Sequence, residues 1–228
     1  MTDTILLAAI LIPCLVIAIV FHEVAHGWAA LALGDPTAKE KRRLSLNPIR
    51  HVDPIGTLLV PGALALFGGP IFGWAKPVPV RKNRLDNPRF GMMAVAAAGP
   101  ATNFMLALIG AVVAGLVFGL GWSTLEPGSL AFNALVYFIL INIFLGLFNL
   151  LPIPPFDGSH IVGGLLPPRM ARQWQRLQAA GMMFIVVLIA ASWAFPESGL
   201  VENVVFPPVL WLQERYLMVA DFVAQAVS

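Results

Sequence analysis

The stretch IVFHEVAHGWAALALG, residues 19–34, sets three ionisable side chains in a run otherwise suited to lipid. His22, Glu23 and His26 follow eighteen uncharged residues, 4–21, and precede another apolar turn. Ionisable groups within a membrane span are costly, and they mark functional positions. The pentad HEVAH therefore raises two linked questions: whether this helix lies in a membrane, and what the three groups do there.

Composition answers the first. Of 228 residues, 58% are hydrophobic and 11% are charged, against about 25% charged in a soluble domain. The chain reads as one integral membrane domain, residues 1–228. A net charge of +2 is too small to indicate nucleic-acid binding. Cys14 is the single cysteine, so there is no disulfide framework, and it reads as a small hydrophobe. The N-terminus lacks a basic region before its apolar run, which is also longer than a signal peptide's. A retained transmembrane helix is expected.

Hydropathy and helix breakers divide the rest. Span one runs from about Thr4 to Leu33 and ends at Gly34-Asp35-Pro36. Span two covers Gly91 to Leu120, span three Leu130 to Leu151, and span four Ala179 to Phe195. A fifth element, Leu200 to Val219, either spans or lies in the interface. Residues 56–80, GTLLVPGALALFGGPIFGWAKPVPV, are apolar but repeatedly broken by Gly and Pro. Non-helical backbone at membrane depth must be buried in protein or line a wet cavity. The expected fold class is an all-α polytopic membrane protein. It has four to six transmembrane helices and a re-entrant Gly/Pro-rich loop or short β segment around 56–80.

The fourteen Lys and Arg test this layout. Five lie in 39–50, five in 76–89 and three in 169–176, with Arg215 last. If spans one to four cross in turn and 56–80 re-enters, the three clusters share a side. The positive-inside rule makes that side cytoplasmic. The N-terminus is then outside, and a spanning fifth element would bring Arg215 to the basic side. The expected location is a prokaryotic cell membrane, with multiple passes through it.

In a helix, His22 and His26 lie one turn apart on one face and can hold one metal ion. Zinc, one per chain, is the expected metal, since three protein ligands plus a water is its usual catalytic set. Glu23 is not needed as a ligand. It can take a proton from the attacking water and deliver it to the leaving amine. HExxH on a helix thus points to a metallopeptidase. The plainer alternative is two histidines lining a helix interface, with Glu23 paired to a cation. Thr4 to His22 spans about 27 Å at the helical rise, inside a hydrocarbon core of about 30 Å. That depth puts the site toward the cytoplasmic face.

A third ligand is required. Asp157, in FNLLPIPPFDGSH (148–160), returns to the level of His22 at the end of span three. Pro152, Pro154 and Pro155 are expected to hold this backbone extended, and Gly158 permits a sharp turn. Asp157 is either a ligand or the N-cap of a helix through Ser159 and His160. His160 is a rival ligand or a supporting group. Asn149 either satisfies nearby backbone or faces the site, where it could steady a substrate carbonyl or oxyanion. Asn103, near Gly99-Pro100, reads as structural. His51 reads as a surface histidine.

These residues resemble the site-2 protease family of intramembrane zinc metalloproteases. The marks are HEVAH, the AGPATN stretch and NLLPIPPFDG, with Asn149, Pro152, Pro155, Asp157 and Gly158 in the family's signature. RLSLNPIRHVDPIGT and FGWAKPVPV look like its short bacterial and archaeal branch, without PDZ or CBS domains. The resemblance implies zinc on His22, His26 and Asp157, with Glu23 as acid/base and Asn149 at the substrate or oxyanion. It also implies a transmembrane protein or peptide as substrate, within the lipid bilayer. Two other classes compete: a divalent-metal transporter, and a metal-binding membrane scaffold closed by a fourth ligand such as His160. A carrier usually shows inverted repeats and several sites along its path. This chain has no visible repeat.

Overall fold

The computed structural model describes residues 2–66, 74–121, 129–179 and 206–228, with isolated positions within 181–203. The protein is an all-α polytopic membrane protein. Three helices among the described residues are long and apolar enough to cross a membrane. These are α1 (Thr2–Ala32), α4 (Pro88–Gly119) and α5 (Leu130–Asn149). Between them lie α2 (Thr37–Glu40) and α3 (Val60–Leu66), and after them α6 (Asp157–Leu165), α7 (Pro168–Ala179) and α8 (Phe206–Val227). Most of span four, 179–195, falls outside the described residues.

The helix starts follow sequence chemistry. Asn87 caps α4 by accepting from the Arg89 and Phe90 amides, with Pro88 at the first position. Ser129 caps α5 through the Phe132 amide. Each cap satisfies an amide that has no intrahelical partner.

Helix α4 is the hub and packs against α1, α5, α6 and α8. Buried Ala107, Ala111, Ala114, Ile139 and Ile143 form the α4–α5 core, joined by Val209 and Ala220 of α8. Two fully buried amides tie the three spans together. Asn103 of α4 donates to the Ala18 carbonyl of α1 and to Asn142 Oδ1 of α5. Asn142 donates onward to the Phe138 carbonyl. In a dry bundle an unpaired amide is expensive, so these bonds fix the rotation of the helices about one another.

Of the 56–80 segment, expected as a re-entrant loop or short β segment, residues 56–66 are helical instead and 67–73 lie outside the described residues. A π-helical turn at Pro54–Leu59 runs into α3, and no strand forms among the described residues. The excursion returns to its origin. The Trp74 amide donates to the Gly56 carbonyl, Thr57 Oγ1 donates to the Trp74 carbonyl, and the Lys76 amide donates to the His51 carbonyl. His51 is therefore buried at 3% exposure, not on the surface. Its polar neighbours suggested water, but the returning chain covers it.

The three basic clusters gather at one end of the bundle. Arg84 pairs with Glu40, and the Arg43 guanidinium donates to the Lys76 carbonyl. Arg89 donates to the Gly164 and Leu166 carbonyls at the end of α6, two residues before α7. The last helix departs from expectation. Tyr216 bonds the Phe104 carbonyl, Gly115 lies on Ala220, and Gly119 lies on Ala224 and Val227. Residue numbers rise together, so α8 is parallel to α4. Arg215 stands near Phe104, about 24 Å along α4 from Pro88 at the helical rise, and does not join the basic end. Hydropathy marks a helix but gives it no direction.

Asp35, fully buried after α1, anchors this end. Its carboxylate accepts from the Thr37 amide and hydroxyl and from the Arg81 amide. Burial alone would raise its pKa, but these bonds and nearby Arg84 hold it below the usual carboxylate range. A depressed folded pKa gives stability that is complete above the unfolded value of about 4 and lost as pH falls through the folded one. Melting of the detergent-solubilised chain should lose its margin over Asp35→Asn below about pH 4. A margin independent of pH would refute this role.

Candidate metal centre

His22 and His26 sit one turn apart on α1, their rings 4.6 Å centre to centre. Their Nε2 atoms are 3.0 Å apart. Asp157 Oδ2 lies 3.2 Å from the first and 3.3 Å from the second. Each ring is oriented from behind. His22 Nδ1 is 2.6 Å from Asn103 Oδ1, and His26 Nδ1 is 2.7 Å from the Val95 carbonyl. The Asn103 amide faces carbonyl oxygens with its nitrogen, so its oxygen is the side turned to His22. Both Nδ1 atoms therefore donate, and both Nε2 lone pairs point inward. This back-bonding is how metal-ligating histidines are held.

Three electron-pair donors thus converge with no proton between them when the rings are neutral. Asp157 Oδ2 is buried and has no hydrogen-bond donor. A tetrahedral zinc with ligands at about 2.0–2.1 Å sets them about 3.3–3.4 Å apart, close to the spacing here. The trio is the group among the described residues that could hold a metal ion, and its spacing fits zinc.

The backbone makes room for it. A Cβ on Gly99 would stand 2.6 Å from Cε1 of each imidazole and 2.6 Å from His26 Nε2. The rings lie directly on α4, which only glycine permits at this position. Asp157 begins α6 with Phe156 at the cap position and no side-chain cap, so it does not serve as an N-cap. The proline run before it is folded and not extended, with a cis Pro154–Pro155 bond. Proline fixes φ but leaves ψ free, and the chain turns back until Gly158 rests on the Leu150 and Leu151 carbonyls.

The trio opens on a cavity of about 550 Å³. Glu23 lines it, and its Oε2 accepts the Val78 amide at 2.8 Å. Trp74, Pro77 and Val78 of the returning segment form one wall, and Asn149 and His160 lie on others. The Asn149 amide donates to the Leu145 carbonyl of its own helix. His160 lines the cavity without joining the trio.

Sequence reasoning missed two supports. Asn142 raised no flag, although a buried amide mid-span signals a partner. The Val95 carbonyl carries no sequence signal at all. Asn103, read as structural, is also the acceptor that orients His22. Replacing it by Leu should weaken zinc binding about 10–100-fold with the helix content intact, measured by competition with a chelating dye. Unchanged affinity would refute the orienting role.

A model of peptidase family M50 matches residues 123–192. YwhC of Bacillus subtilis (strain 168), a candidate zinc metalloprotease by name, is 38% identical over 179 residues, 78% of each chain. The chain belongs to peptidase family M50, the site-2 proteases. Rip2 of Mycolicibacterium smegmatis, named likewise, is 26% identical over 175 residues, 74% of this chain and 61% of Rip2. MJ0611 of Methanocaldococcus jannaschii is 41% identical over 68 residues, 30% of this chain and 31% of its own. No solved structure matches. The M50 match takes in Asn149 and Asp157. His22, Glu23 and His26 precede it and meet it in space.

Proposed function

We propose that the chain is an intramembrane zinc metalloprotease. It cleaves a peptide bond within or beside the transmembrane segment of another membrane protein. The observation that carries this is the His22–His26–Asp157 trio opening, with Glu23, on one cavity at the bundle's interior. We further propose that the basic end is cytoplasmic, so that water reaches the centre from that side.

When bound, zinc supplies Lewis acidity toward a peptide carbonyl and lowers the pKa of water. The chain's own residues do the rest. Glu23 accepts the proton of the attacking water and returns it to the leaving amine. Its Oε2 is committed to the Val78 amide, which leaves Oε1 to face the reacting atoms. Asn149, once released from Leu145, steadies the developing oxyanion. A helical substrate hides its scissile carbonyl in intrahelical bonds, so the bound segment unwinds and lies extended along residues 74–80. The test is reconstitution with single-span membrane proteins, with zinc measured in parallel. Cleavage should stop on chelation and return with zinc. A zinc-replete chain that transports divalent metal and cleaves none of them would overturn the proposal.

A further inference from the structure

A second cavity, of about 280 Å³, is lined by Lys41, Arg43, Lys76, Pro77 and Pro79. Its lining holds three cations and no acid. Pro77 also lines the catalytic cavity, so the segment of residues 74–80 is the partition between the two. The Arg43 guanidinium donates to the Lys76 carbonyl at 2.8 Å, and its Nε is buried without a hydrogen-bond acceptor. Burial lowers the Arg43 pKa from its ordinary value, and the charge of Glu23 opposes that shift. The second cavity is thus within electrostatic reach of the proton-transfer group.

Nearby carboxylates are committed elsewhere. Glu40 pairs with Arg84. Asp35 accepts from the Thr37 and Arg81 amides, and Asp53 from the Ile55 and Gly56 amides. Residues 67–73, just before the partition, carry no charge. Among the described residues no carboxylate forms an ion pair with Lys41, Arg43 or Lys76. Cations gathered round one cavity repel each other, and an anion between them relieves that repulsion. The partition also orders what lies along it. Val78 lies on Gly27 of α1, and Val80 packs on the Ala30, Leu85 and Val95 cluster, whereas Pro77 and Pro79 line the cationic cavity. An extended peptide alternates its side chains between two faces, so beside this segment every second one comes to the cationic side.

We propose that Lys41, Arg43 and Lys76 form a subsite for one acidic side chain of the substrate, close to the scissile bond on its cytoplasmic side. This rests on the proteolytic reading above and names the substrates it selects: membrane spans with an aspartate or glutamate at the cytoplasmic end. Cytoplasmic flanks are ordinarily rich in Lys and Arg. A cationic subsite repels those and admits the exception, which is specificity by rejection. A peptide carboxylate is favoured over a lipid phosphate because the cavity backs onto the partition along which the peptide lies.

The test uses the full zinc-loaded chain in phosphatidylcholine vesicles. The probes are synthetic Ala/Leu spans of about 20 residues, with a dansyl group and a polar flank carrying Asp, Asn or Lys at one position at a time. Immediate energy transfer from the chain's tryptophans reads binding, and its later loss reads cleavage. At alternate flank positions the Asp probe should bind at least about fivefold tighter than its Asn twin, the upper worth of one exposed ion pair. The Lys probe should bind more weakly than Asn. Lys41→Glu with Lys76→Glu should reverse the order, and Arg43, which holds the partition, is left intact. Equal binding of Asp and Asn probes by the unaltered chain, or binding of none, would overturn the proposal. So would an Asp preference that is the same at every position, which marks general attraction to the basic end, or one that survives the double substitution. Equal binding together with phosphatidylglycerol that co-purifies with the parent but not the double variant would assign the cavity to a lipid headgroup instead. Tight Asp binding with no later loss sinks proteolysis and leaves the subsite, while equal cleavage of Asp and Asn probes sinks the subsite alone.

Discussion

A Glu23→Gln chain should hold zinc as tightly as the parent and cleave at least about 10²–10⁴-fold more slowly, the usual share of a positioned proton-transfer group. The substitution isolates one property. Glutamine has the size of glutamate and keeps a carbonyl-type oxygen, which can still accept the Val78 amide now held by Glu23 Oε2 at 2.8 Å. The returning segment therefore stays in place. The ligand atoms belong to His22, His26 and Asp157, so the metal site is untouched. What disappears is basicity. Zinc content by emission spectroscopy and cleavage of a reconstituted single-span substrate give the two readouts. Glu23→Ala serves as a companion, because it also removes the acceptor for Val78 and so adds any cost of freeing that segment. If Glu23→Gln cleaves at the parental rate, Glu23 is an anchor for residues 74–80 and not the base. If zinc is lost with activity, Glu23 belongs to the metal's support.

Much of the centre was legible because its chemistry is local. The spacing of His22 and His26 is a property of any helix, and their cost in lipid raises them above coincidence. Asp157 was legible because a span has a fixed length, so its end returns an acid to a calculable depth. The supports were less so. Asn103 announces a need for a partner, but whether it meets α1 backbone or His22 depends on how α4 is rotated against α1. It meets both. Val95 could not be read at all, since every residue has a carbonyl. His51 and α8 failed for one reason: burial and direction are decided by distant segments that return, and neither leaves a mark on the residues concerned. The proline run shows the limit of local rules, which restrict φ without choosing between an extended chain and a turn.

Gly99→Ala should reduce zinc affinity by at least tenfold, approaching the loss expected on removing a ligand with Asp157→Ala. Elsewhere in a helix this change would be mildly favourable, by about 0.5–1 kcal/mol, because alanine loses less backbone entropy. Here the new methyl would lie 2.6 Å from both imidazoles, well inside ordinary carbon contact at about 3.5–4.0 Å. The rings cannot withdraw freely. His22 is held by Asn103 and His26 by the Val95 carbonyl, and Asn103 and Val95 belong to the same helix as Gly99. Relief must come from turning a ring, which misdirects Nε2, or from parting α1 and α4, which breaks the Nδ1 bonds. Either way the donor triangle opens, and second-sphere disruption of that kind costs about 10–100-fold in metal affinity. The two effects have opposite signs, and this separates them. Metal affinity should fall while the apo chain in detergent keeps its helix content and melting point. A variant with parental zinc affinity would mean that the imidazoles do not depend on contact with α4. One that fails to fold without metal would mean that Gly99 serves helix packing ahead of the centre.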